Sequence, residues 1–167
     1  MMRVLASRCT NWCSSGFSLV ELLVVVAIVS VLATIGLPLA ELSHKRVQEE
    51  ELRVALRQIR AALDEYKMAV NDGHVFKKEG DSGYPPDLAT LVRGIPDAKS
   101  PKGRRLYFLR RIPRDPFAPA SVLLAEDTWA LRSYASPADS PAPGRDVYDV
   151  YSKSTLTGLN GVRYSEW

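Results

Sequence analysis

Cysteine is nearly absent from this chain of 167 residues, and the little there is rules out a disulfide scaffold. Cys9 and Cys13 both precede residue 16, so everything after it is free of thiols. Arg3 and Arg8 keep that first end cytoplasmic, so the rest faces outward into an oxidising compartment with no disulfide to form. As metal ligands, Cys9 and Cys13 are half a site without partners. Histidine is as scarce. His44 and His74 have no companion at metal spacing and no nucleophile nearby in sequence, and both read as exposed structural residues. A glycine-rich phosphate loop and an interpretable carboxylate pair are missing too. The expectation is therefore a protein that is not an enzyme. Net charge is also small. The formal value is +3, and Arg3 and Arg8 account for +2 of it, which leaves too little for a general nucleic-acid binder.

What the chain has in quantity is one apolar run. Residues 22–29 carry no polar side chain; Ser30, Thr34 and Gly36 thin the rest without adding charge, and Pro38 closes it. From Phe17 to Ala40 a helix would be about 36 Å long, enough to cross a hydrocarbon core of about 30 Å. Glu21 does not belong in such a segment, where a carboxylate costs about 3 kcal/mol. A plain anchor tolerates it if the side chain reaches the headgroups. A secretory signal fits worse, because the run is too long and a cut after Ala40 would put Pro38 three residues upstream. A lipoprotein signal fails because Arg8 directly precedes Cys9.

A short basic leader ending in Gly16, then Phe17, Ser18, Leu19, Val20, Glu21 and a long apolar helix, resembles the class III signal of type IV pilins and type II secretion pseudopilins. The resemblance implies that a prepilin peptidase cuts between Gly16 and Phe17 and methylates the new Phe17 amine. It also implies that Glu21 pairs with the Phe17 amine of a neighbouring copy. The physics agrees, since a carboxylate in hydrocarbon is compensated by a facing cation. The chain then divides into a leader at 1–16, a membrane or filament-core helix at 17–40, its soluble continuation at 41–72, and a periplasmic head at 73–167. Pro38 removes a helix hydrogen bond, so a kink at Gly36 and Pro38 is expected. In related filaments the helix loosens there; an ordinary membrane-helix proline is the other reading.

Residues 41–51 are polar nearly all round, with Glu41 and Lys45, and Glu49 and Arg53, at i,i+4 spacing. A stripe follows: Leu52, Leu56, Ile59, Leu63, Tyr66, Val70, widened by Ala55, Ala62 and Ala69. It is the face on which a head would pack, and Asn71, Asp72 and Gly73 end the helix. Beyond it, residues 83–92 predict a turn into a short helix with Asp87 as cap and Leu88, Leu91 and Val92 buried. Residues 128–134 and 147–152 alternate and read as strands, with a loop at 135–144 between them. Tyr107 and Phe108 are expected in the core, and Trp167 on the head. The fold class is α+β, type IV pilin-like: a long N-terminal helix, membrane-spanning in its first half, against a small antiparallel sheet. Residues 99–114 hold seven basic residues and no acid, whereas 115–167 is net −3. This reads as a solvated face, with a complementary contact between stacked heads, or nucleic acid as for a DNA-uptake pilin, as the other readings.

Two head motifs resemble the major, G-type pseudopilin: Tyr84, Pro85 with Leu88, Leu91 and Val92, and Ile112, Pro113, Arg114, Asp115, Pro116, Phe117, where Phe117 stands for the family's Trp. The lack of cysteine after the leader fits the same family. The resemblance implies an inner-membrane, single-pass subunit of a periplasmic pseudopilus, with the peptidase, its own copies, other pseudopilins and the assembly platform as partners. The C-terminal loop departs from the family. Residues 152–157 lack its calcium-binding aspartate, and Lys153 is a poor neighbour for a cation. Asp139, Asp146 and Asp149 remain as oxygen donors without a recognised spacing, so no cofactor is expected and calcium is the single one raised. That departure keeps a minor pilin of a type IV pilus, serving adhesion, motility or DNA uptake, as the alternative. A signal-anchored periplasmic binding domain that never polymerises is the rival from another class.

Overall fold

An apolar stripe decides where the head forms. Leu52, Leu56, Ile59, Leu63, Tyr66 and Val70 recur at alternating steps of four and three residues, which puts them on one helix face, and all six are buried. They belong to α1, Leu19–Asn71. The computed structural model describes residues 18–167, and of residues 35–38 the backbone alone. The chain forms two units, Met1–Leu42 and Ser43–Trp167. In the first, the described apolar side chains of α1 lie open, Leu22, Val26 and Leu32 among them.

The second unit starts with the rest of α1, which stops by a defined device. The amide of His74 donates to the Ala69 carbonyl at 2.8 Å and that of Gly73 to Val70 at 3.0 Å. This double closure needs a left-handed residue at Gly73, whose φ is +76°. The short helix α2, Ala89–Arg93, comes next. Its start is fixed by Asp87, whose Oδ1 accepts both the amide and the hydroxyl of Thr90 at 2.6 Å. Leu88 and Leu91 are buried as expected, and Val92 is half-buried.

Two antiparallel ribbons follow. β1, Ile95–Pro96, pairs with β2, Arg105–Leu106. β3, Trp129–Arg132, pairs with β4, Asp149–Ser152, with Trp129 opposite Ser152. Tight 3-10 turns lie at Glu126–Thr128 and Tyr164–Glu166. The stripe of α1 closes over Leu88, Leu91, Trp129, Val147, Val150 and Tyr164, an α+β core. Truncating a fully buried member such as Ile59 or Leu91 to alanine costs about 2–5 kcal/mol.

Three details differ from the sequence reading. The sheet is two separate ribbons. The strands are also shorter than 128–134 and 147–152, because backbone donors at their ends go elsewhere. Ser133 donates to Ala142 at 3.0 Å and Val147 to Pro85 at 2.8 Å. Finally, Phe108 joins the core, its ring 5.4 Å from that of Tyr66, but Tyr107 is 63% exposed. The Tyr107 ring lies across Gly94, at φ +71°, where a Cβ would stand 2.7 Å from it.

Candidate functional site

The first unit presents a greasy helix with one acid near its start. The Leu22 amide donates to the Ser18 carbonyl at 3.0 Å, and Glu21 stands in the first turn of α1. There the unpaired amides make the positive end of the helix, which favours a carboxylate. The hydroxyls further along bond their own helix: Ser30 to the Val26 carbonyl at 2.7 Å, Thr34 to that of Val31 at 2.6 Å. Their polarity is thus satisfied within the helix and the flank stays apolar. Among the described residues this one helix is long and apolar enough to cross a membrane. The expected cleavage pair, Gly16 and Phe17, lies outside the described residues. Gly36 and Pro38 fall within α1, which continues across them, and their side chains lie outside the described residues.

In the second unit the 112–117 turn is latched from two sides. The buried Asp115 carboxylate accepts the Ser152 hydroxyl at 2.6 Å and the Phe117 amide at 2.8 Å. The Asp115 amide donates to Thr128 Oγ1 at 3.2 Å, and the Trp129 indole donates to the Pro113 carbonyl at 2.8 Å. The turn therefore joins β3 to β4. Prolines on either side of Asp115 signal its rigidity in the sequence, but nothing local signals the burial of its carboxylate.

Glu49 is also buried. It accepts the Leu159 amide at 2.7 Å and the Tyr164 hydroxyl at 3.0 Å, tying α1 to the last turn. Burial first, and Glu49 second, push the Tyr164 phenol up to about 12. The expected i,i+4 partner of Glu49, Arg53, turns instead to Glu50 at 3.8 Å and over the Trp167 ring at 4.5 Å. Lys45 donates to the Thr157 carbonyl at 2.8 Å. His74 is half-buried and bonds Asp97 at 2.8 Å, while His44 is exposed. That bond to His74 holds the Asp97 carboxyl below the usual range.

All seven bases of 99–114 are exposed, and two of them are tied to backbone carbonyls. Arg105 bonds the Gly94 carbonyl at 2.7 Å, and Arg114 bonds the Val122 and Pro119 carbonyls at 2.6 and 2.7 Å. The calcium donors raised by the sequence do not converge either. Asp146 accepts the Ser133 hydroxyl at 2.6 Å and the Tyr134 amide at 2.9 Å, whereas Asp149 pairs with Arg60 at 2.8 Å. Burial would raise the Asp146 carboxyl, but its hydrogen bonds outweigh that and hold it low. Lys153 places its ammonium at the Asp127 carbonyl, 2.7 Å away. Among the described residues no group of three His, Cys, Asp or Glu side chains is arranged to hold a metal.

Residues 13–37 match the family model of the prokaryotic N-terminal methylation motif. The match indicates a type IV pilin-like prepilin, a structural subunit. It implies processing by prepilin peptidase and polymerisation into filaments, and together with the apolar helix it fits an inner-membrane-anchored protein. Comparison with curated proteins and with solved structures gives no match.

Proposed function

We propose that the chain is a structural subunit of a periplasmic pseudopilus that drives type II protein secretion. It is cut after Gly16, methylated at Phe17, and held in the inner membrane by residues 17–40 with its head outside until it polymerises. The observation that carries this reading is Glu21 at the head of an open apolar helix inside a methylation motif. An acid there has no partner in lipid, and the new Phe17 amine of the next copy supplies one. The choice of pseudopilus over pilus draws on the head, where the latched 112–117 turn carries the resemblance to the major pseudopilin. Mass spectrometry of the membrane form tests the processing: methylated Phe17 at the N-terminus supports it, and an intact Met1 rejects it. Deleting the gene tests the role. Loss of type II export with surface pili intact is expected; normal export overturns the reading.

A second reading has its own observation. Lys153 occupies the C-terminal loop with an ammonium bound to Asp127, where the major pseudopilin would place calcium ligands. That favours a minor pilin of a type IV pilus, and loss of surface pili with normal export would select it.

A further inference from the structure

Two exposed features of the head have no role in anything above. One is a groove of about 1140 Å³ between α1 and the 108–114 segment. Its lining includes Val54, Ala61 and Ile112, with Glu51 and Glu65 on the helix bank and Arg110 and Arg111 on the other. Among the described residues no ion pair joins the two banks, so opposite charges line one groove and stay unpaired. The other feature is an apolar knob. Leu123 is 89% exposed and Leu124 57%, and Glu126 and Asp127 follow them. The knob is braced: Arg114 holds the carbonyls of Pro119 and Val122, and Lys153 holds that of Asp127. Two large apolar side chains on a braced loop make a contact surface.

We propose that the Leu123 and Leu124 loop of one copy seats in the groove of a second copy. The leucines cover the apolar floor, and Glu126 and Asp127 face Arg110 and Arg111. A purely apolar ligand would leave Arg110 and Arg111 unpaired, and a bare anion would leave the apolar floor uncovered. The acidic knob satisfies the basic bank and the floor together. Knob and groove are different surfaces, so the contact is head-to-tail, and every copy still offers one of each. The idea rests on the filament reading for the crowding of copies along a common axis, and supplies the contact between their heads.

Cysteine cross-linking in the full chain tests it. Cys9 and Cys13 are replaced by serine, and Leu123→Cys is combined with Ala61→Cys in membranes of producing cells at equal abundance. Mild oxidation should give a ladder of covalent multimers. A mixture of the two single variants should stop at dimers, and Phe76→Cys with Ala61→Cys should give no ladder. Arg110→Glu with Arg111→Glu should lower the yield about tenfold, and adding Glu126→Lys and Asp127→Lys should restore it. A yield no higher than the Phe76→Cys control, or one indifferent to charge reversal, overturns the docking. Dimers alone from the double variant overturn its head-to-tail form. The N-terminus of the same samples separates the two ideas. Unprocessed Met1 with a ladder overturns the filament reading and keeps the docking, whereas methylated Phe17 without a ladder overturns the docking alone.

Discussion

The Tyr164 hydroxyl donates to Glu49 at 3.0 Å across 115 residues of sequence, and the same carboxylate oxygen takes the Leu159 amide. One acid on α1 thereby holds two points of the C-terminal segment. Glu49→Ala leaves the buried Tyr164 hydroxyl and the part-buried Leu159 amide without an acceptor and should destabilise the head by about 3 kcal/mol. Tyr164→Phe removes one bond and keeps the other, for about 1 kcal/mol. Thermal unfolding of the detergent-solubilised chain measures both. Equal losses would show that packing, not the shared acceptor, sets the cost.

The same pair predicts an alkaline transition. Tyr164 holds its proton up to about 12, above the ordinary value of 10.0 that the unfolded chain shows. A raised folded-state value means the contribution is complete below the unfolded value and is lost as pH rises through the folded one. Stability should therefore fall between about pH 10 and pH 12. Tyr164→Phe should flatten that part of the melting profile relative to the parent. A profile of unchanged slope would remove the assignment.

Asp115→Ala should cost more than Asp115→Asn. Alanine strands the Ser152 hydroxyl and the Phe117 amide, for about 3 kcal/mol, while asparagine keeps one acceptor oxygen and loses about 1–2 kcal/mol. Proteolysis around residues 112–117 should rise in the same order. Cleavage that ranks the two variants alike would show that the prolines alone fix the turn.

Glu21→Ala should insert and be processed normally yet enter filaments at about a tenth of the parent level or less, because the variant lacks the acid that faces the next amine. Sheared-filament yield against membrane abundance measures it. Parent-level incorporation would end the pairing role.

Periodic information was legible in the sequence; distant pairing was not. The stripe from Leu52 to Val70 is readable because a helix repeats every few residues, and all six members are buried. The Gly73 stop and the Asp87 cap are local chemistry and were equally visible. Glu49 looked like a solvated member of a polar stretch, since its burial depends on Leu159 and Tyr164, more than a hundred residues away. Tyr107 followed its composition into the expected core, but a neighbouring glycine gave its ring a bed on the surface. The split into two ribbons turned on where Ser133 and Val147 send their amides, and no local pattern encodes that. Of the candidate site, the acid at Glu21 could be read from its surroundings. The groove and its knob could not, because they depend on which arginines the fold ties down.

The ribbons have only two and four residue pairs. Such brief margins give a stray strand little backbone to copy, so among the described residues the ribbons are a poor template for amyloid-like growth. Heads that met in the proposed filament would then touch through side chains, which can be undone, in place of a ladder that would lock.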